Sequence, residues 1–155
     1  EGIPVDDEVE IGIMVEVPSV AVKADAFAKQ VDFFSIGTND LTQYTLAVDR
    51  GNELISELYQ EVHPSIMELI SYCVKAARDE EIGIAVCGEI ASYPKAALCL
   101  MGMGISELSM SPVSIPKVKT LLREYSLDQM REMADHVLAA VTTAEVNDIF
   151  TNFQK

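Results

Sequence analysis

Basic residues are scarce in this chain. Lys and Arg number 11 against 25 Asp and Glu, a formal net charge of −14, and that balance argues against a nucleic-acid or anionic-membrane partner. It also weighs against an anionic substrate, unless a metal ion and a few arginines reverse the local field. No run approaches the roughly 18 consecutive apolar residues of a membrane span. A signal peptide needs a basic start and an apolar middle, whereas Glu1 to Glu10 holds five acidic residues. A cytoplasmic protein without membrane insertion is expected. The three cysteines, Cys73, Cys87 and Cys99, contain no CxxC pair, so neither a disulfide framework nor a structural zinc site is indicated. Linkers, repeats and low-complexity stretches are also missing, and residues 1–155 are expected to form a single, partial domain.

What is present is a core. Hydrophobic residues make up 49% of the chain and charged residues 23%, the composition of a chain that buries apolar surface rather than remaining disordered. Segments rich in Val, Ile, Phe and Met occur at Ile11 to Val15, Phe33 to Ile36, Ile84 to Val86 and Leu108 to Met110, and they read as strands buried on both faces. Helical periodicity follows them. Val20, Ala24, Phe27 and Val31 share one face, with Asp25 and Lys29 spaced as an ion pair on the solvent side. Pro64 suits the first position of a helix over Ser65 to Glu80, whose Ile66, Leu69, Ile70, Cys73 and Ala77 form one stripe and which Gly83 would end. Pro94 opens a helix running to Gly102, and Pro116 one carrying Val118, Leu121 and Leu122. Two further helices occupy about 127–153, the last announced by the capping-box pair Thr142 and Glu145.

This alternation predicts an α/β fold with a parallel sheet. A doubly wound sheet would place a Gly-rich phosphate loop after its first strand, and Glu16-Val17-Pro18-Ser19 has no glycine. Half of a (β/α)8 barrel, a fold that normally takes about 250 residues, accounts for four βα units as strands 5 to 8. Barrel chemistry sits at the C-terminal ends of strands. Here those ends carry Glu16, then Thr38-Asn39-Asp40, then Cys87-Gly88-Glu89, then Ser109 and Ser111.

A carboxylate directly after an apolar strand costs several kcal/mol to desolvate unless a cation pairs with it. Glu16 and Asp40 therefore read either as oxygen ligands for Mg2+ or as ion-paired and helix-capping residues. Arg50 could grip a phosphate bidentately, or pair with Asp49 in a turn. Cys87, in apolar and acidic surroundings, is expected to stay a neutral thiol and to serve as a proton donor rather than a nucleophile. Cys73 and Cys99 fall inside helical stretches and read as core residues. Glu89 reads as an ion-pair partner. His63 precedes a helix-opening proline and His136 lies on a surface helix, so neither looks catalytic.

These residues also carry a resemblance. Gly12-Ile13-Met14-Val15-Glu16-Val17-Pro18, the run from Phe33 through Thr38-Asn39-Asp40 to Gln43-Tyr44, Ala47-Val48-Asp49-Arg50-Gly51-Asn52 and Val86-Cys87-Gly88-Glu89 together resemble the phosphoenolpyruvate-utilising enzymes. That family includes enzyme I of the bacterial sugar phosphotransferase system, pyruvate phosphate dikinase and phosphoenolpyruvate synthase. Leu46 to Asn52 and Gly102 to Ser111 resemble enzyme I more than its cousins. The resemblance implies the C-terminal half of a phosphoenolpyruvate-binding barrel. It implies Glu16 and Asp40 as Mg2+ ligands, Asn39, the backbone around Asp40 and Arg50 as phosphate-binding groups, and Cys87 as the thiol that protonates enolpyruvate. The implied partners are phosphoenolpyruvate or pyruvate, the histidine phosphocarrier protein, and a second copy, since the family dimerises through its barrel domain. The implied reaction carries a phosphoryl group from phosphoenolpyruvate to an enzyme histidine and on to the carrier; a dikinase or synthase, or a non-catalytic binding and dimerisation module, are the alternatives. No acceptor histidine or first-half arginine matches here, so the chain reads as an excised piece that is inactive alone.

Overall fold

A computed structural model describes residue 6 and residues 8–153, which leaves the outermost parts of the expected 1–155 domain outside the described residues. The strands are β1 (Gly12–Val15), β2 (Phe33–Gly37), β3 (Gly83–Cys87) and β4 (Glu107–Ser109). They pair in parallel in the order β1-β2-β3-β4. Between and after them lie α1 (Pro18–Val22), α2 (Ala24–Phe27), α3 (Thr38–Leu46), α4 (Pro64–Asp79), α5 (Pro94–Met103), α6 (Ile115–Leu122), α7 (Leu127–Ala139) and α8 (Thr143–Asn152). The fold is α/β with a sequentially ordered parallel sheet, the arrangement of half an eight-stranded barrel.

The helix ends follow the expected chemistry. The imidazole Nδ1 of His63 accepts from the Ser65 N–H at 3.2 Å, and Pro64 takes the first position of α4. Thr142 and Glu145 form the capping box that starts α8, and Ser126 with Gln129 forms another at α7. Core side chains from α4, α5 and α7 pack on the sheet, among them Met67, Ile70, Cys73, Leu98, Cys99 and Met133, all fully buried. Gly102 allows α5 to press on α7, because a Cβ there would overlap the Met130 carbonyl.

Three expectations change. The helix drawn through Val20 to Val31 breaks at Lys23, resumes over Ala24–Phe27, and tightens into a 3-10 turn at Ala28–Gln30. Asp25 and Lys29 form no ion pair among the described residues, because a 3-10 turn brings i and i+3, not i+4, onto one side. Second, α3 was not drawn as a helix: its sequence Thr-Asn-Asp-Leu-Thr-Gln-Tyr-Thr-Leu buries only Thr38, Leu41 and Thr42, too few apolar positions for a readable stripe.

Third, the strands are not buried on both faces. Val15, Phe34, Ile36, Ile84 and Val86 lie under the helices. The opposite row, Met14, Ser35, Ala85, Cys87, Glu107 and Ser109, is in register across the sheet and none of it is buried. A barrel covers its inward face only when the sheet closes, which four strands do not do. At the other end of that face Phe33 pairs with Gly12 and Gly83. Its ring lies where a Gly12 side chain would stand, and a Cβ on Gly83 would be 3.3 Å from Phe33 Cβ.

Candidate active site

The C-terminal ends of β1, β2 and β3 lie side by side, since Val15 pairs with Ile36 and Gly37 with Cys87. Glu16 leaves β1 half-buried and crosses toward β2. A Cβ on Gly37 would stand 2.6 Å from both Cγ and Oε1 of Glu16, so the carboxylate occupies space that only glycine leaves open. Immediately after Gly37 the chain turns into α3, with Asn39 and Asp40 in its first turn. A carboxylate at that position also complements the positive end of the helix. Ala47, left-handed at φ 53°, closes the helix.

Two hydrogen bonds join the β2 and β3 ends. Thr38 Oγ1 donates to the Cys87 carbonyl at 3.3 Å, and the Glu89 N–H donates to Asn39 Oδ1 at 3.1 Å. Gly88 between them has φ 139°, and a Cβ on it would overlap Thr38 Oγ1, so both the conformation and the space require glycine. Cys87 Sγ is on the open face, 3.6 Å from Ser35 Oγ, 3.6 Å from Met14 Sδ and 3.5 Å from the Ile36 carbonyl.

Arg50 sits in the exposed turn after α3, and its N–H donates to Gln43 Oε1 at 3.3 Å. Its guanidinium interacts with Tyr59 and lies near Glu61; Asp49 instead accepts from the Gly51 N–H at 2.8 Å. Tyr59 in turn donates its hydroxyl hydrogen to the Asn39 carbonyl at 3.0 Å. Burial raises the Tyr59 hydroxyl above its ordinary value, with the Glu61 charge adding to the rise and Arg50 opposing it.

The donor set suits a hard cation. Among the described residues neither Glu16 nor Asp40 enters an ion pair, and no cluster of three or more His, Cys, Asp or Glu offers a closed metal cage. Two carboxylates on adjacent strand ends fit the oxygen ligands that Mg2+ prefers, and do not by themselves make the four-ligand nitrogen and sulfur set of a structural zinc site.

The sequence profile of the family described as "PEP-utilising enzyme, PEP-binding domain" matches residues 1–127. The chain belongs to the phosphoenolpyruvate-utilising enzymes. It is 48% identical over 153 residues to the phosphoenolpyruvate-protein phosphotransferase of Haemophilus influenzae, 99% of this chain and 27% of that protein. Identity to the protein of the same name from Lactococcus lactis is 48% over 145 residues, 94% of this chain and 25% of the relative. To that of Staphylococcus carnosus it is 44% over 155 residues, 100% of this chain and 27% of the relative. The chain thus spans about a quarter of these relatives, and corresponds to their C-terminal part.

The structure brings Glu16, Thr38, Asn39, Asp40, Cys87 and Glu89 of this chain to three adjoining strand ends, with Arg50 in the turn after α3. Ser109 and Ser111 are exposed at the β4 side. Glu89 holds Asn39 through its backbone rather than forming an ion pair. Cys73 and Cys99 are buried, and burial pushes both thiols up to about 12. Sequence reasoning did not single out Tyr59, Glu61 and Tyr93. Tyr59 and Glu61 lie in a loop with no hydrophobic period, and the only signal was their closeness in sequence to Arg50.

Proposed function

We propose that this chain supplies the Mg2+- and phosphate-holding half of the substrate site of a phosphoenolpyruvate-protein phosphotransferase. The complete enzyme would move the phosphoryl group of phosphoenolpyruvate to one of its own histidines and then to the histidine phosphocarrier protein. The observation that carries the reading is the convergence of Glu16, Asn39, Asp40 and Cys87 on three adjacent parallel strand ends, in a chain 48% identical to proteins of that name.

Glu16 and Asp40 would hold Mg2+, which would offset negative charge on the phosphate and on the enol oxygen. With its Oδ1 occupied by the Glu89 N–H, Asn39 keeps its amide N–H groups for a phosphate oxygen. The first-turn N–H groups of α3 add donors at the positive end of a nine-residue helix. Arg50, exposed in the turn after α3, would bring its guanidinium against the departing phosphoryl group. In the direction that forms pyruvate, the Cys87 S–H bond breaks as a C–H bond forms on the methylene carbon of enolpyruvate, and solvent at the open face restores the thiol. His63 is occupied in capping α4 and His136 is exposed on α7, so the accepting histidine belongs to another part of the enzyme.

The same reading makes residues 1–155 one partial domain in a cytoplasmic enzyme. Among the described residues no helix is long and apolar enough to cross a membrane. The β1 and β4 edges are where further strands of the barrel would pair, and a dimer with a second copy is part of the proposal. Val9 is 63% exposed, Ile11 68% and Met14 49% beside the β1 edge, apolar surface that favours association.

The test is isothermal titration of phosphoenolpyruvate, with Mg2+ present, into the enzyme that carries this segment. Loss of binding and phosphoryl transfer in both Glu16→Ala and Asp40→Ala is expected. Variants that keep wild-type binding and transfer would overturn the assignment.

A further inference from the structure

A second cavity, of about 700 Å³, opens beside the strand ends and is bounded by the loop before α4, the start of α5, α6 and α8. None of Glu16, Asn39, Asp40, Arg50 or Cys87 lines it. Its wall is chemically divided. Glu61, Glu89 and Tyr93 contribute polar groups, and Leu121 of α6 and Phe150 of α8 contribute apolar ones beside the hydroxyl-bearing Thr143. Among the described residues Glu61 Oε1, in the loop before α4, and Thr143 Oγ1, on α8, are buried atoms with no hydrogen-bond partner, while the Glu61 carboxylate also meets the Tyr93 hydroxyl. A buried acceptor left unpaired is destabilising, and a ligand donating a hydrogen there would relieve it.

Charge selects the ligand. Neither Glu61 nor Glu89 enters an ion pair among the described residues. Of the nearby cations, Lys95, itself on the lining, turns its Nζ to Tyr125 Oη at 3.0 Å and to the Phe153 carbonyl at 2.8 Å, and Arg50 acts on Glu61 without forming an ion pair with it. Burial raises the Glu61 carboxyl above its ordinary range, and the Glu89 charge raises it further. An added cation would relieve both effects.

The geometry points to a binding site in this cavity for a small organic ammonium ion with a short apolar body: the ammonium would donate to Glu61 Oε1, and the apolar end would pack on Leu121 and Phe150. This goes beyond the proposed transferase reading and does not depend on it. A link between the two sites is also built in. Tyr59 and Glu89, on the cavity wall, are the two residues that hold Asn39, by bonds of 3.0 and 3.1 Å. A ligand that shifts either residue therefore shifts Asn39.

The experiment follows backbone and aromatic resonances of the full chain during titration with phenethylamine, and with phenylpropionate and 2-phenylethanol as the anionic and neutral counterparts. Saturable shifts confined to residues 59–62, 93–96 and 143–150, with a secondary shift of the Asn39 amide, are expected for the amine. Glu61→Gln keeps the shape and removes the charge, and lowers amine affinity about tenfold, the loss of one charge-assisted bond. Thr143→Val leaves the Thr142 cap in place and tests the second unpaired atom, with a smaller loss of amine affinity expected. Absence of saturable shifts, equal binding of the anion, or unchanged affinity in both variants would overturn the site. The measurement uses neither Mg2+ nor phosphoenolpyruvate, so failure of the transferase reading leaves it standing, and its own failure leaves that reading untouched.

Discussion

Asn39 is held from two directions, its side-chain oxygen by the Glu89 N–H at 3.1 Å and its carbonyl by the Tyr59 hydroxyl at 3.0 Å. The first bond fixes which end of the amide faces outward. Asn39→Asp keeps the oxygen that accepts from Glu89 but replaces the free amide N–H groups with a charge. Phosphoenolpyruvate affinity is expected to fall about tenfold or more, since a charge-assisted bond to phosphate is replaced by repulsion, while the unfolding midpoint changes little. Titration beside a urea melt checks both halves, and unchanged affinity would remove Asn39 from the phosphate site.

Gly37→Ala tests the Glu16 carboxylate without touching it. The new Cβ would stand 2.6 Å from Glu16 Oε1 and Cγ, and the flexible carboxylate has to move. Mg2+ affinity is expected to drop about 10- to 100-fold, the usual effect of disturbing groups that orient a metal ligand, with stability nearly retained. Metal titration by calorimetry gives the answer; wild-type affinity would place the ion elsewhere.

Gly102→Ala addresses packing instead. The Met130 carbonyl lies where the Cβ would go, and backbone yields less readily than a side-chain end. Destabilisation of about 1–3 kcal/mol is expected from overpacking, less the ~1 kcal/mol that alanine gains over glycine in a helix. A denaturant melt with no loss of stability would mean that α7 can shift on α5 freely.

Thiol labelling separates the three cysteines. Cys73 and Cys99 are fully buried with thiols pushed up to about 12, whereas Cys87 is half-buried on the open face. An aromatic disulfide reagent at neutral pH is expected to modify Cys87 alone in the native chain and all three in urea. Native labelling that survives Cys87→Ser would contradict this order.

Glu61 gives a pH dependence of definite sign. Burial first, then the Glu89 charge, raise its carboxyl above the ordinary 4.5, with Tyr93 and Arg50 opposing the rise. The folded state then binds the proton more tightly than the unfolded chain. Stability linked to Glu61 is fully present below the ordinary value and is lost as pH rises through the folded one. Compared with Glu61→Gln, the wild-type unfolding midpoint should therefore decline as pH climbs from about 4.5 toward neutrality. A wild-type midpoint that holds level or rises against Glu61→Gln over that range would overturn the assignment.

Strand positions were legible because Ile11 to Val15, Phe33 to Ile36 and Ile84 to Val86 are short apolar runs between helical stripes, and a run of that kind is a local signal. The placing of Glu16, Asn39, Asp40 and Cys87 at adjoining strand ends was legible for a different reason: a polar residue after an apolar parallel strand marks the C-terminal end of the sheet. Three features could not be read. Helix α3 buries only Thr38, Leu41 and Thr42, so Thr38 to Leu46 carries no apolar stripe from which a helix could be read. The break at Lys23 follows from how α1 and α2 each rest on α4, which is long-range information. The Tyr59–Glu61–Tyr93 group joins segments more than thirty residues apart in the chain, and nothing local in either segment announces the other.

The Phe33 ring, lying across Gly12 beside Gly83, gives the sheet two ends with opposite tolerances. At the base, any side chain on Gly12 evicts an aromatic ring, so change there is punished by the fold itself. At the rim, Glu16, Asn39, Asp40 and Cys87 are only half-buried, so exchanging them is expected to leave the packed layer largely intact. Drift confined to the rim is therefore a route by which one scaffold could acquire new chemistry, while the base acts as its keystone.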